Sequence, residues 1–372
     1  MRRTLLFWLS SLLILTACHT NNGQTAGDIQ PGKQYAKGFT ITNTQHYTTV
    51  IVFNPWKSNE IYAKYYLVRN NSTAVPKDGI KVKIPVKRLV ANSATYFEPL
   101  REIGSLDVIV GTCSARFIYS PEILSGVKSG RIKDLGDSNN LNFEQTLALK
   151  PEGIMTTSYN ADDINVKRFT QSGIPVFYNF EWMEETPLGR AEWIKFIAAF
   201  EDKQDVANRL FADVVKNYQE AKAVAAKAKD APSILVGEDF RGSWSMPGGR
   251  SFNARLIYDA KGSYYFSSDT TTGSINSTIE KTLVQFGKAQ IWIAAQENTI
   301  HDLQAKNPQY ALFTAFKNRQ VYNWNNRMNS TGGNDYWESA VSHPDILLKD
   351  LIKTLHPTLL PGYKPVYLKR LS

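Results

Sequence analysis

The chain has 372 residues, of which 42% are hydrophobic and 21% are charged, which is the composition of a globular protein. This length is sufficient for two domains with cores of their own. The formal net charge of +9 suits an anionic partner. Lysine and arginine never form a block of more than two adjacent residues, however, so the charge pattern disfavours nucleic acid as that partner.

The N-terminus has the pattern of a bacterial secretory signal. Two arginines precede an apolar run from Leu5 to Leu15, which is too short to cross a membrane as a helix. The run ends in Leu15-Thr16-Ala17-Cys18, which resembles the bacterial lipobox, in which the cysteine receives a diacylglyceryl group. We therefore predict a signal peptide over residues 1–17, lipidation at Cys18 and a polar tether over residues 18–35. The alternative is an ordinary secretory signal with a chance cysteine.

Residues 36–187 are predicted to form a first lobe. Strands over Val50–Phe53 and Ile61–Val68, separated by turn residues, indicate a β hairpin, and Lys81–Ala91 alternates as a strand does. Short helices and strands then alternate, which is typical of a parallel sheet with helices on its faces. The predicted elements are helices over Thr95–Ile103, Phe143–Leu149 and Asp162–Gln171, and strands over Leu106–Gly111, Gly153–Met155 and Ile174–Tyr178.

Residues 188–229 are almost entirely helix-forming and are predicted to be a connecting helix, interrupted by a short turn at Glu201–Lys203. Residues 230–372 repeat the alternation and form the second lobe. Its predicted elements are strands over Ile234–Val236 and Ile291–Ile293, and helices over Ser251–Tyr258, Ser277–Phe286 and Asp345–Leu355. The fold class is therefore α/β, with two lobes of central sheets flanked by helices, a long backbone helix between them and an extra N-terminal β hairpin.

Several segments, in this order behind a lipobox, resemble a known family. Arg88–Gly111 looks like its opening strand, helix and strand. Asn142–Ile154 looks like its helix that ends in Lys-Pro before a strand, and Pro187–Ile194 like the entry to its backbone helix. The family is that of the periplasmic iron-chelate and cobalamin binding proteins of ABC importers, with the helical-backbone, TroA-like fold. The extended stretch over residues 31–80 departs from its pattern.

The resemblance implies a monomeric binding protein outside the cytoplasm that faces the periplasm or the cell exterior. Only its lipid anchor would touch the membrane. It would deliver an iron chelate, either a ferric siderophore or haem, to the permease of an ABC importer, and the basic charge favours an anionic chelate. Cobalamin or another corrinoid is the alternative ligand. No cofactor and no catalytic residue are predicted.

The resemblance also implies one exposed glutamate on each lobe that contacts the importer, and Glu144 and Glu280 match by position. The alternative is that glutamate in the first turn of a helix is favoured by the helix dipole in any protein.

The ligand is expected between the lobes, against aromatic and arginine side chains in loops that follow strands. Aromatic faces suit a large planar or catecholate ligand, and arginines suit its carboxylates. The candidates are Tyr96, Arg116, Phe117, Tyr178 and Trp182 from the first lobe, and Arg241, Trp244, Arg250, Trp324, Arg327 and Trp337 from the second.

Other functions are less well supported. The histidines of the mature domain, among them His343 and His356 beside prolines at helix boundaries, are scattered, so no direct metal site is predicted. Cys113 follows an apolar run and is predicted to be a buried thiol. A surface-anchored hydrolase is the rival class, but no Gly-x-Ser-x-Gly, Walker, His-Glu-x-x-His or Gly-x-Gly-x-x-Gly motif is present. An adhesive lipoprotein is the third option, and the chain after residue 91 lacks the repeats typical of one.

Overall fold

The computed structural model describes residues 33–158 and 164–372. Within it, Gln34–Ser372 form one compact unit with a hydrophobic core of its own, so we expect this unit to fold without the preceding residues. The predicted signal peptide, the lipidation site Cys18 and most of the predicted tether lie outside the described residues, as does the start of the predicted helix at Asp162.

The first strands form a separate sheet at the N-terminus. They are β1 (Phe39–Asn43), β2 (Thr48–Phe53), β3 (Ile61–Val68) and β4 (Ile80–Lys83), in the order β1-β2-β3-β4. β2 pairs antiparallel with β1 and with β3, whereas β4 runs parallel to β3. The predicted hairpin is confirmed as β2 and β3. Val50 and Val52 alternate along β2 and are both buried, so one face of this sheet packs on the core.

The first lobe is built on a parallel sheet with the strand order β11-β10-β5-β6-β7. In chain order its elements are β5 (Leu89–Ala91), α1 (Phe97–Glu102), β6 (Ile109–Thr112), α2 (Pro121–Lys128), β7 (Lys133–Asp134), β8 (Gly136–Asp137), β9 (Asn140–Leu141), α3 (Phe143–Ala148), β10 (Gly153–Thr156), α4 (Ile164–Gln171) and β11 (Val176–Tyr178).

The prediction of one strand over Lys81–Ala91 is wrong, because this stretch is divided between two sheets. Pro85 lies between β4 and β5 and has no amide hydrogen to donate to a ladder. The chain leaves the N-terminal sheet there. Val86 then donates to the carbonyl oxygen of Phe200 at 3.0 Å before the chain enters the parallel sheet.

The connector between the lobes consists of three helices rather than one continuous helix. They are α5 (Pro187–Ala191), α6 (Trp193–Phe200) and α7 (Gln204–Ala225). The predicted interruption at Glu201–Lys203 is confirmed, and Asp202 has a positive φ of 55° there. α6 is buried nearly all round because it lies inside the first lobe. Phe200 stacks on Phe177 of the parallel sheet at 4.2 Å between ring centroids.

α7 is the helix that reaches the second lobe. The hydroxyl of Tyr218 donates to Asp259 Oδ2 at 3.0 Å, and Lys222 Nζ lies 3.0 Å from Asp259 Oδ1. At its other end, the ring of Phe211 packs against Tyr35 from the N-terminal segment. The helix therefore contacts both the N-terminal segment and the second lobe.

The second lobe has a parallel sheet of order β15-β12-β17 and an antiparallel sheet of order β13-β14-β16. Its elements are β12 (Ser233–Val236), β13 (Asp239–Phe240), β14 (Ser243–Pro247), α8 (Phe252–Asp259), β15 (Ser263–Tyr264), β16 (Ser274–Ser277), α9 (Ile279–Phe286), β17 (Ile291–Ile293), α10 (Ile300–Lys306), α11 (Thr314–Lys317), β18 (Tyr322–Asn323), α12 (Pro344–Leu355) and β19 (Lys369–Arg370).

Buried carboxylates hydrogen-bond to backbone amides near both termini of the compact unit. Glu192 Oε2 accepts the amides of Tyr35 and Ala36 at 2.6 and 2.8 Å, and Asp350 Oδ2 accepts the amide of Tyr367 at 2.6 Å. These segments have few strand partners, so the carboxylates satisfy backbone amides that would otherwise be buried and unpaired.

We expect Gly153→Ala to lower the free energy of unfolding by about 1–3 kcal/mol, because a Cβ at this position of β10 would lie 2.1 Å from Cε2 of the buried Phe177. Urea denaturation measures the change. Gly273→Ala is the matched control, because a Cβ there meets nothing within 4 Å, and its effect should stay within about 1 kcal/mol. Equal stability of Gly153→Ala and the wild type would contradict this packing.

Candidate ligand-binding site

A cavity of about 380 Å³ opens at the carboxyl ends of β5, β6 and β10 in the first lobe. This is the edge of a parallel sheet at which α/β proteins bind ligands, and the volume lies in the lower part of the range for small-molecule sites. Leu141, Ile154 and Phe169 contribute apolar surface. Hydroxyl and amide side chains supply most of the polar surface, namely those of Asn92, Ser93, Ser114, Ser138, Asn139, Thr156 and Thr157.

A hydrogen-bond network holds the polar part of this lining in place. Asn92 Nδ2 donates to the carbonyl oxygen of Ser138 and to Thr156 Oγ1, both at 2.9 Å. Trp182 Nε1 donates to Thr157 Oγ1 at 2.7 Å. The predicted ligand residue Trp182 therefore lies behind the cavity and supports one of its hydroxyls. Side chains held in this way are pre-organised for a ligand.

The lining carries little charge. Among the described residues that line the cavity, Asp137 is the one with an ionisable carboxylate, and lysine, arginine and histidine are not represented. Cys113 is buried as the sequence predicts, and burial raises the pKa of its thiol to about 12, so the thiol remains protonated. The described part of the lining thus presents hydroxyl and amide groups rather than cations.

The loop after β6 brings the predicted ligand residue Phe117 to the cavity, and Arg116 lies against its ring. Ser114 adopts a left-handed conformation with φ of 51°, and its amide donates to the carbonyl oxygen of Gly136 at 2.7 Å. The turn that follows leaves the Phe117 side chain at the cavity and 57% exposed. The guanidinium carbon of Arg116 lies 4.4 Å from the centroid of the Phe117 ring.

The second lobe meets this loop through polar contacts. The Glu338 carboxylate accepts the backbone amides of Tyr119, in a short hydrogen bond, and of Ser120 at 2.9 Å. Asn329 Nδ2 donates to the carbonyl oxygen of Ile118, which lines the cavity, at 2.8 Å. Burial raises the pKa of Glu338 to about 7, against the opposing effect of the two amides. The second lobe thus holds the loop at one side of the cavity.

Three predicted ligand residues of the second lobe gather beside this contact. Arg327 Nη1 lies 3.0 Å from Asp335 Oδ2, and its guanidinium carbon lies 5.6 Å from the ring centroid of Tyr119. Trp324 stacks on Tyr336 at 4.8 Å, and Trp337, which is 62% exposed, packs edge-on against the same tyrosine ring. None of the three lines the cavity as the structure describes it.

The structure places the other predicted ligand residues away from the cavity. Tyr96 and Trp244 are buried in the core, and the indole of Trp244 donates to the carbonyl oxygen of Val236 at 2.9 Å. Tyr178 packs against Tyr62 of the N-terminal sheet at 4.8 Å. These aromatic side chains pack against other residues of the protein. The residue types in the sequence do not show whether an aromatic ring packs in the core or faces a ligand.

The remaining two predicted arginines are exposed. Arg241 lies between β13 and β14 with its guanidinium over Phe240, and Arg250 Nη2 binds Glu185 Oε1 at 2.7 Å. The ion pair between Arg250 and Glu185 joins the two lobes. Because it lies on the surface, it contributes little stability.

The polar lining residues were not predicted, because only aromatic and arginine side chains were considered as ligand contacts. A signal was present. Asn92 and Ser93 directly follow the strand that ends at Ala91, and Thr156 and Thr157 end and follow the strand that begins at Gly153. Residues at the carboxyl ends of parallel strands meet at one edge of the sheet, so position along the strands could have found them.

The two predicted docking glutamates lie in equivalent places. Glu144 is in the first turn of α3, which precedes β10, and Glu280 is in the first turn of α9, which precedes β17. Both side chains are exposed. Each helix is capped by a polar side chain, Asn142 or Thr278, and a hydrogen bond from Thr278 lowers the pKa of Glu280. The two lobes therefore share a local unit of capped helix, first-turn glutamate and following strand.

In the part of the chain that the structure describes, none of the helices is both apolar enough and long enough to span a bilayer.

The comparisons with known proteins agree with this architecture. Residues 89–328 match the model of a family described as periplasmic binding protein. An uncharacterized lipoprotein of Methanocaldococcus jannaschii is 26% identical over 318 residues, which cover 80% of this chain and 74% of that protein.

Two solved structures share the fold. A periplasmic heme binding protein from Pseudomonas aeruginosa superimposes with a TM-score of 0.57 at 16% identity, over 77% of this chain and 98% of that one. An ABC transporter substrate-binding protein from Listeria monocytogenes superimposes with a TM-score of 0.55 at 18% identity, over 73% of this chain and 99% of that one. The match to the family covers well over half of the chain, and it does not support the alternative prediction of a surface-anchored hydrolase. The chain therefore belongs to the periplasmic binding protein family and is a binding protein, not an enzyme.

Proposed function

We propose that this protein is a lipid-anchored solute-binding protein that captures a ferric siderophore outside the cytoplasm and delivers it to the permease of an ABC importer. The observation that carries the proposal is the cavity at the carboxyl ends of β5, β6 and β10, with its hydroxyl and amide lining. The lipobox-like segment ending in Cys18 and the lipoprotein relative support the anchor. The likeness to an ABC transporter substrate-binding protein supports the importer.

The lining favours a siderophore over haem. Haem iron is held by an axial histidine, tyrosine, methionine or cysteine thiolate, and none of the first three is among the described residues that line the cavity. Cys113 lines it, but its raised pKa keeps the thiol protonated. A siderophore surrounds its iron with its own oxygen ligands. A siderophore needs only hydrogen-bond partners from the protein, and the hydroxyl and amide side chains of the cavity can supply them.

The same lining bears on the charge and size of the ligand. The basic excess of the whole chain suggested an anionic chelate, yet the described lining residues include no lysine or arginine, and Asp137 is acidic. We infer a neutral or cationic chelate, and Arg116 lies against the ring of the lining residue Phe117. A corrinoid, with its macrocycle and nucleotide loop, is larger than a ferric siderophore or haem and would extend furthest beyond a cavity of about 380 Å³, so it is the weaker alternative.

Titration of the compact unit Gln34–Ser372 tests the ligand. We expect saturable quenching of tryptophan fluorescence by a neutral or cationic ferric hydroxamate siderophore, with weaker responses to an anionic ferric catecholate, to haem and to cyanocobalamin. Thr157→Val should weaken binding by about tenfold, because it removes a hydroxyl from the lining at nearly constant volume. Thr170→Val, in an exposed turn of α4, is the matched control. Tight binding of haem or cobalamin with no siderophore response would refute the assignment.

A second experiment tests the docking role of Glu144 and Glu280. We expect the double variant Glu144→Lys, Glu280→Lys to bind the cognate importer at least about tenfold more weakly at low salt, while the affinity for the chelate is unchanged, because exposed charges on each lobe orient the encounter. The double variant Asp213→Lys, Glu220→Lys, at two exposed positions of α7, makes the same change in net charge and is the control. Importer binding that the double variant and the control reduce equally would count against a docking pair.

A further inference from the structure

Three metal-ligating side chains converge where α1 of the first lobe meets the start of α12 in the second. Nε2 of His343 lies 3.6 Å from Glu98 Oε1 and 3.6 Å from Glu102 Oε1. One ligand atom of each residue lies within 4.8 Å of those of the other two. None of the three residues lines the cavity at the ends of the parallel strands, so this cluster is separate from the proposed chelate site.

The local structure explains why the side chains point together. Glu98 and Glu102 are four residues apart on α1, so their carboxylates lie on one face of the helix. His343 directly precedes Pro344, the first residue of α12, and its ring projects from the fixed start of that helix. All three side chains are mostly buried, with between 14% and 24% of their surface exposed. The cluster is thus held by two rigid helices and open to solvent on one side.

The charges around the cluster are unbalanced. Arg101 Nη1 binds Oε2 of Glu98 and leaves Oε1 to face the histidine. Asp345, two residues after His343, is 5% exposed, and its Oδ1 has no hydrogen-bond partner among the residues that the structure describes. It interacts electrostatically with both His343 and Glu102. Three carboxylates therefore surround one imidazole. The other positive charges that act on them are Arg101, which Glu98 shares with Glu122, and Lys349 near Asp345.

We propose that Glu98, Glu102 and His343 bind a divalent transition-metal ion of the Zn²⁺ type, which ties the two lobes together. Imidazole nitrogen and carboxylate oxygen are ligands that Zn²⁺ takes at about 2.0–2.2 Å, which places tetrahedral ligand atoms about 3.4 Å apart. The two imidazole–carboxylate separations of 3.6 Å need to contract by only a few tenths of an ångström, and the two carboxylate oxygens, which lie within 4.8 Å of each other, can close the remaining gap by side-chain rotation. Water would take the fourth position, and the buried Asp345 carboxylate is suited to accept a hydrogen bond from the site.

The ion would act on the architecture rather than on the cargo. Two of its ligands belong to the first lobe and one to the second, so it can be fully bound only while the lobes keep their present contact. It would therefore stabilise the same arrangement that Glu338 stabilises through the backbone of Tyr119 and Ser120. Metal binding to the folded state alone raises thermal stability by mass action.

The test is a titration of the metal-free compact unit Gln34–Ser372 with Zn²⁺ alone, at pH 7.5 and without any siderophore. We expect one ion per chain by calorimetry and a Tm increase of about 3 °C or more in saturating Zn²⁺. Glu102→Gln and His343→Gln should each lose at least about tenfold in Zn²⁺ affinity and most of the Tm increase. His301→Gln is the matched control, because His301 sits in an exposed His–Asp pair with Asp302 at 3.7 Å.

Two results would overturn the proposal. One is a wild-type chain whose Tm does not respond to Zn²⁺, which would leave the cluster as a plain ion pair between an imidazolium and two glutamates. The other is a response that survives in both Glu102→Gln and His343→Gln, which would place the ion elsewhere. Two independent variants are used so that a failure of one to fold, seen as a lost unfolding transition without metal, still leaves a decisive comparison.

Discussion

The carboxylate of Glu338 is the interaction on which the arrangement of the two lobes depends. It lies in the second lobe and accepts two consecutive backbone amides, of Tyr119 and Ser120, from the first. Burial of a carboxylate costs several kcal/mol, and here two charge-assisted hydrogen bonds offset the cost only in part, because the pKa of Glu338 remains raised to about 7. If the lobes separated, the two amides would lose this partner. The loop between β6 and α2 is thereby held at the side of the cavity.

Buried carboxylates also accept backbone amides where chain segments lack strand partners. Glu192 binds the N-terminal segment at Tyr35, and Asp350 binds the C-terminal segment at Tyr367. The Glu338 contact between the lobes, together with α7, which contacts both the N-terminal segment and the second lobe, favours a small hinge motion over a wide opening of the lobes. We therefore propose that the chelate enters a site whose polar lining is largely pre-formed, and that adjustment is concentrated in the loop that carries Arg116 and Phe117. A metal ion at His343 would restrain the same joint.

Hydrophobic patterning predicted most of the helices and the strands with clear apolar runs, because these segments are bounded by turn residues, but it did not predict the two-residue strands such as β7 and β13. It failed at Pro85, where an alternating stretch is shared between two sheets. Of the two breaks in the connector, it predicted the one at Glu201–Lys203 and not the one between α5 and α6. The candidate site was harder to predict. Phe117 and Trp244 were both chosen as aromatic residues in loops after strands. Phe117 lies at the cavity, whereas Trp244 lies within β14 and is fully buried. Tertiary packing decides which aromatic side chains remain available, and local sequence does not record it.

The central claim is that the cargo binds at the carboxyl ends of the parallel strands of the first lobe. Hydrogen–deuterium exchange of Gln34–Ser372, with and without a ferric hydroxamate siderophore, tests it most directly. The account predicts ligand-dependent protection of amides around Asn92–Ala94, Cys113–Ile118 and Asp137–Asn139, with no change in the turn between β1 and β2. Saturating ligand that leaves those three segments unprotected, while protecting amides elsewhere, would contradict it.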